Sequence, residues 1–232
     1  MMAIDLGGGR SEQPMFSVIM PAFNRAHLIA RAIESATAQR FGDFELLIID
    51  DGSRDNTFEV VRPFILADPR IRYHFATNRG LPMARNLGLI NSTGKYITFL
   101  DSDDEYLVEH LEARAEVLQK NPEIDLLHGG IEIIGDPFVA DKHNPAKQIH
   151  LRDCVVGGTF CIKRSLAEAL GGFRDVDYGD DSDFFQRALD SGAMIEKIDA
   201  PTYRYYRTES DSLCAIVERE GIEGIMKFRT NT

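Results

Sequence analysis

The chain has 232 residues, of which 44% are hydrophobic, and 26 Lys+Arg against 37 Asp+Glu give a formal net charge of −11. That length suits one large domain, and that composition supports a packed core rather than a disordered chain. The acidic balance argues against a nucleic-acid partner, which requires a basic face to displace counterions from phosphates.

No apolar run approaches the roughly 20 residues that span a bilayer. Asp5 and Arg10 interrupt any signal-peptide core. Three cysteines (Cys154, Cys161 and Cys214), none in a C-x-x-C pair, provide no disulfide framework. The chain reads as a soluble protein of a reducing compartment, expected to be cytoplasmic.

Met1–Pro14, with Gly7-Gly8-Gly9, reads as a loose leader. Phe16–Met20 is then a short buried-strand run ended by Pro21. Leu28, Ile29, Ala32, Ile33 and Ala36 recur at helical spacing, and Glu45–Ile49 is a second strand. Asp55-Asn56-Thr57 caps a helix carrying Val60, Val61 and Ile65. Ile71–Phe75 predicts a third strand, Leu81–Leu89 a helix, Tyr96–Leu100 a fourth strand, and Leu107–Leu118 a helix with one apolar face. Strands and helices alternate four times over about 120 residues, the pattern of a mostly parallel sheet covered by helices. Beyond it, Leu126–Ile134 reads as one strand and Pro137–Arg152, with two prolines, as a mobile loop. Helices at Ser165–Leu170 and Asp183–Ser191 and a strand at Met194–Ile198 follow.

Ligands of open α/β sheets bind beyond the carboxyl ends of the strands. Three strands end there in polar residues: Pro21-Ala22-Phe23-Asn24, Asp50-Asp51-Gly52-Ser53 and Asp101-Ser102-Asp103-Asp104. Turn and cap chemistry explains any one of them equally well. The third is harder to dismiss, because three carboxylates in four residues repel one another unless a cation sits among them. Oxygen-only donors suit Mg²⁺ or Mn²⁺, and without Cys or His nearby zinc is disfavoured. A bound metal would also supply the positive charge that an anionic substrate needs on so acidic a protein. Neither a G-x-x-x-x-G-K-[ST] loop nor a G-x-G-x-x-G turn after the first strand is present.

Six segments, in order, resemble the inverting glycosyltransferases of family 2. They are Ser17–Asn24, Asp43–Ser53, Asn78–Gly88, Gly94–Asp104, Gly171–Phe173 and Gly179–Arg187. The resemblance implies the α/β GT-A fold of nucleotide-diphospho-sugar transferases: a Rossmann-like three-layer sandwich with a mostly parallel central sheet and a smaller acceptor-side region. The domain is expected over residues 15–212, with a nucleotide-binding half (15–104), an acceptor and catalytic half (105–212), and a C-terminal helical segment (213–232).

The resemblance further implies a nucleotide pocket shaped by Pro21, Ala22, Phe23 and Asn24, with Asp51 on the base and Ser102 beside it. Arg85 would lie near the base or diphosphate, or else be a salt-bridged helix arginine. Asp101-Ser102-Asp103 takes the place of the D-x-D motif, Asp103 as direct ligand of Mn²⁺ or Mg²⁺ and Asp101 towards the ribose or the metal. Asp104 is either part of this cluster or the cap of the next helix. Asp181 stands where the family places its general base, with Asp180 where Glu is usual; Asp180 and Asp183 are read as helix-capping acids. The family often closes with Y-R-x-H, but Tyr206-Arg207-Thr208-Glu209 puts Glu209 at the histidine's position. Glu209 is thus a candidate metal ligand or an exposed loop residue, and Arg204 and Arg207 either meet phosphate or lie on a solvated strand face.

The expected activity is transfer of a sugar from a UDP- or dTDP-type donor to a hydroxyl of a glycan or lipid-linked acceptor, with peripheral membrane contact through that acceptor. A sugar-1-phosphate nucleotidyltransferase would carry a Gly- and Arg-rich loop with a following lysine where Pro21–Ala26 stands. A D-x-D-x-T phosphatase would need that motif on the first strand, with a Thr or Val following the second aspartate. A non-catalytic nucleotide-sugar-binding subunit is disfavoured by the joint presence of Asp51, Asp103 and Asp181. The absence of Trp and of Q-x-x-R-W predicts single addition rather than processive synthesis. The histidines, the cysteines and the Tyr203, Tyr205, Tyr206 run are read as packing residues, the tyrosines alternatively as a sugar platform.

Overall fold

A computed structural model describes residues 2–4, 13–141, 144–210 and 212–225. Most of the expected leader (residues 1 and 5–12), His143, and residues 226–232 of the C-terminal segment lie outside that set.

The strands are β1 (Met2–Ile4), β2 (Phe16–Ala22), β3 (Phe44–Asp50), β4 (Ile71–Phe75), β5 (Tyr96–Phe99), β6 (Glu105–Tyr106), β7 (Leu126–His128), β8 (Ile131–Gly135), β9 (Phe138–Asp141), β10 (Asn144–His150), β11 (Cys161–Lys163), β12 (Ile195–Lys197) and β13 (Tyr203–Arg207). The helices are α1 (Ile29–Thr37), α2 (Thr57–Ala67), α3 (Leu81–Asn91), α4 (His110–Lys120), α5 (Arg164–Ala169), α6 (Asp180–Asp190) and α7 (Leu213–Glu220).

The main sheet has the order β1-β4-β3-β2-β5-β11-β7-β12. From β4 to β5 every pairing is parallel, and only β1 and β11 run against the rest. Every residue of β2 and β3 is buried, as expected of parallel strands covered on both faces. Successive side chains alternate between two cores: Val18, Met20, Leu46 and Ile48 meet α1, α2 and α4, while Ile19, Leu47 and Ile49 meet α3, α5 and α6. The result is the expected three-layer sandwich. Glycine sets how close α3 lies: a Cβ on Gly88 would come within 2.4 Å of Ile19. The buried Glu45 is satisfied by Ser17, Thr93 and Arg72, whose hydrogen bonds outweigh burial and hold its pKa below the ordinary value.

The structure departs from the sequence expectations in the second half. Leu126–Ile134 is two strands in different sheets, because Gly129 and Gly130 adopt φ of 92° and 76° and turn the chain. β8 joins β13 and β6 in a separate three-stranded sheet. Pro137–Arg152 holds a hairpin rather than a mobile loop: β9 and β10 pair antiparallel, Val139 opposite Ile149 and Phe138 opposite His150. Pro145 falls where the register slips between Asn144 and Gln148, a place where a missing N–H is tolerated. Within the expected leader, Met2–Ile4 pair with Tyr73–Phe75 as an edge strand. β9 packs against α7 in a satellite core of Ala140, Ile216, Val217 and Ile225.

Candidate active site

The carboxyl ends of β2, β3 and β5 open onto a cavity of about 500 Å³. Pro21, Ala22, Phe23, Asp51, Arg85, Asp101, Ser102, Asp103 and Asp181 all line it. Nine of the residues singled out in the sequence, from the ends of β2, β3 and β5 and from α3 and α6, therefore share one space. Asn24 and Glu209 do not line it. Asn24 adopts φ of 53° and accepts the Arg54 N–H through its side-chain oxygen, which shapes the loop after β2. Glu209 accepts from the neighbouring Thr208 hydroxyl in the loop after β13. Among the described residues no group of three or more His, Cys, Asp or Glu side chains forms a metal site, so Glu209 is not brought to Asp101 and Asp103.

Asp51 accepts the N–H groups of Arg79 and Gly80 at 2.9 and 2.7 Å. Its carboxylate thereby pins the start of α3, where Gly80 adopts φ of 88°. Asp55 accepts Thr57 N–H and Ala26 N–H, while Asn56, at the N-cap of α2, makes no side-chain cap bond.

Arg85 projects from α3 and is almost wholly buried. It donates to Asp180 at 2.7 Å and to Asp101 at 3.3 Å, and lies over the rings of Phe99 and Phe173. Burial alone favours its neutral form, but Asp180, Asp101 and Asp181 outweigh that and raise its pKa. The salt-bridged reading of Arg85 therefore describes the structure, and its partner Asp180 is an ion-pair residue rather than a helix cap. The residue before α6 is Gly179 in the left-handed region, with no side-chain cap. Asp183 is held by Arg187 at 2.8 Å and Arg174 at 3.3 Å.

Asp181 lies in the first turn of α6 and accepts the N–H of Gly157 at 3.0 Å and of Ser182 at 2.7 Å. Burial and the adjacent Asp180 charge push its pKa up to about 6, against the opposing pull of Arg85 and the two amides. A carboxylate poised there exchanges a proton readily near neutral pH.

The turn after β5 is held by Arg31 and by residues of β13. Arg31 donates to the Asp103 carbonyl at 2.5 Å and stacks on Tyr206. Asp104 is buried, accepting the Tyr203 hydroxyl at 2.7 Å and the Tyr206 N–H at 2.8 Å. Burial, with Asp103 and Asp101 beside it, raises its pKa well above the carboxylate range. It is not a helix cap, since α4 starts only at His110. Arg204 pairs with Glu132 and Glu105, and Arg207 with Glu218, so neither reaches the cavity. Burial pushes the Cys154 thiol up to about 11 and Cys161 up to about 12, which leaves both as poor nucleophiles.

Residues 17–168 match the model of Glycosyl transferase family 2. The chain belongs to that family. Among family 2 relatives, it is 35% identical over 160 residues to the Escherichia coli UDP-Glc:alpha-D-GlcNAc-diphosphoundecaprenol beta-1,3-glucosyltransferase WfgD, covering 66% of this chain and 61% of that one. It is 36% identical over 137 residues to a Campylobacter jejuni GalNAc(5)-diNAcBac-PP-undecaprenol beta-1,3-glucosyltransferase, covering 58% of this chain and 42% of that one. The chain spans between 13% and 61% of the length of the curated relatives it matches. S. aureus TarS 1–349 in complex with UDP-GlcNAc superposes with a TM-score of 0.73 at 24% identity, over 92% of this chain and 64% of that one. Its likeness establishes the GT-A fold.

The sequence missed Asp180 as the partner of Arg85, the Gly157 N–H on Asp181, and the tyrosine beneath Asp104. A buried arginine on α3 requires a carboxylate, but nothing local to Arg85 says which one.

Proposed function

We propose that this family 2 member is an inverting, metal-dependent glycosyltransferase, taking a sugar from a nucleoside-diphosphate donor, UDP- or dTDP-sugar favoured, to a hydroxyl of a glycan or lipid-linked acceptor. One observation carries the reading. Arg85 ties Asp101 of the donor-side turn to Asp180, next to Asp181, so the two carboxylate sets face one cavity.

In this reading Pro21, Ala22, Phe23, Asp51 and Ser102 form the nucleotide side of the cavity. Asp181 accepts the proton of the acceptor hydroxyl as that oxygen attacks the anomeric carbon, while the sugar–phosphate bond breaks and the nucleoside diphosphate departs. Attack opposite the leaving group inverts the anomeric centre. A positioned base of this kind contributes about 10²–10⁴-fold.

The donor set suits a hard divalent cation: Asp101 and Asp103 offer oxygen only, and both face the cavity. With no further protein ligand gathered there among the described residues, the remaining coordination would come from diphosphate and water. Such an ion, Mn²⁺ or Mg²⁺, would stabilise charge on the leaving diphosphate. A Mn²⁺ and GDP-Man complex of a Pyrobaculum calidifontis mannosyltransferase of the same fold, with a TM-score of 0.66 at 21% identity over 83% of this chain and 56% of that one, supports this reading. The UDP-Glc donor and diphosphoundecaprenol acceptors in the relatives' names support a UDP-sugar and a lipid-linked acceptor, with peripheral membrane contact. No helix among the described residues is long and apolar enough to cross a membrane.

The test is calorimetric titration of UDP, dTDP and GDP with and without Mn²⁺. One nucleoside diphosphate should bind in a metal-dependent way, and Asp103→Ala should remove that binding while the protein still unfolds cooperatively. A folded protein that binds none of the three with metal present would overturn the reading.

A further inference from the structure

One buried hydroxyl grips the turn after β5 at two points. Tyr203, on β13, is fully buried, and its hydroxyl donates to Asp104 at 2.7 Å while accepting the Asp101 backbone N–H at 3.2 Å. Its donor is thus spent on Asp104 and an acceptor position on Asp101. Asp104 is itself fixed at its other oxygen by the Tyr206 N–H, so the phenol is not free to turn away.

The same hydroxyl is the floor under Gly158. A Cβ there would come within 2.3 Å of the Tyr203 oxygen and 2.5 Å of its ring. Gly158 has no positive φ, so space alone, and not backbone conformation, requires the glycine. The preceding Gly157 donates to Asp181, and a Cβ on it would meet Asp181 Cβ and the Arg85 guanidinium, each at 3.0 Å. Gly157–Thr159 form a single tight 3-10 turn. Two consecutive glycines therefore rest on Tyr203 and on Asp181, and Tyr203 in turn grips the backbone of Asp101.

We propose that the Tyr203 hydroxyl is a positioning group for the reaction, fixing Asp101 through its backbone and, through the Gly157-Gly158 turn, setting where the donor-side carboxylates stand relative to Asp181. This rests on the donor and base readings of Asp101–Asp103 and Asp181. Without the hydroxyl, the Asp101 N–H is a half-buried donor with no partner, and the turn relaxes to find one. The nucleoside diphosphate and its metal then meet a displaced carboxylate pair, while the nucleotide pocket on β2 and β3 is untouched.

The experiment is Tyr203→Phe in the full chain, titrated with whichever of UDP, dTDP and GDP the wild type binds, with and without Mn²⁺. Asp103→Ala is run in parallel. Tyr203→Phe should unfold cooperatively, lose about tenfold in Mn²⁺-dependent affinity, and keep the metal-free affinity unchanged. Gly158→Ala, which presses on the hydroxyl from the opposite side, should show the same selective loss and carries the test if the phenylalanine variant fails to fold. Metal-dependent affinity equal to wild type in a folded variant, or an equal loss with and without metal, overturns the inference. If Asp103→Ala loses metal-dependent binding and Tyr203→Phe does not, only the positioning role falls. If the wild type shows no metal-dependent binding, the donor reading falls and this inference with it.

Discussion

The two halves of this molecule are built by different rules. From Phe16 to Leu100 the chain lays down four parallel strands, the first three each followed by a helix, and polar side chains gather at one edge because the strands end there. From Glu105 onward the strands are mostly short, spread over three sheets, and held by side chains remote in sequence. Arg85 and Asp180 are 95 residues apart, and Tyr203 and Asp104 are 99. Binding geometry in the first half is a by-product of regular secondary structure. In the second half it depends on a few buried polar contacts, each of which is a point of failure.

The largest expected effect concerns Asp181, the group proposed above as the base. Asp181→Asn should keep metal-dependent nucleotide binding and lose transfer by about 10²–10⁴-fold. Near-wild-type transfer to an identified acceptor would show that the first half suffices for chemistry.

Arg85→Ala tests whether the halves hold each other. It leaves Asp101, Asp180 and Asp181 clustered without their cation, and removing one partner of a buried pair costs about 3–5 kcal/mol. Urea unfolding should show that loss, and a change under about 1 kcal/mol would mean the halves are stable apart.

A smaller effect is electrostatic. In the proposed reading Asp181 must be ionised to accept a proton, so kcat/KM should rise with pH through an apparent pKa of about 6. Asp180→Asn removes the neighbouring negative charge, so the acid limb should move to lower pH. A limb that stays in place would remove Asp180 from the site's electrostatics.

The smallest effect lies furthest from the strand edge. Arg207 joins β13 to Glu218 of α7 and to the Phe138 carbonyl of β9. Arg207→Ala should cost roughly 1 kcal/mol and speed hydrogen exchange over Phe138–His150 and Leu213–Glu220, with nucleotide affinity unchanged. Altered nucleotide affinity would erase the distinction between the halves.

This contrast also explains what was legible. The strand runs before Leu100 are apolar because both faces are covered, so their positions, their order and the polar residues that follow them could be read directly. Pro137–Arg152 misled because two prolines outweighed a real alternation, Val139 against Ile149, that only pairing makes meaningful. Leu126–Ile134 misled in the opposite way, its apolar continuity masking two glycines that turn the chain. Asp51, Asp101, Asp103 and Asp181, which share the cavity, stand in recognisable segments. Tyr203 and Gly158 do not, since a tyrosine in an aromatic strand and a glycine in a turn have ordinary explanations until they are seen in contact.

The two outer strands of the main sheet, β1 and β12, are three residues each, and β12 carries Glu196-Lys197. An eight-stranded sheet that tapers to short or charged margins offers little template for another chain to extend it. Concentrated solutions of the protein should therefore resist strand-to-strand stacking, and truncating Met2–Ile4 should make the margin at β4 adhesive.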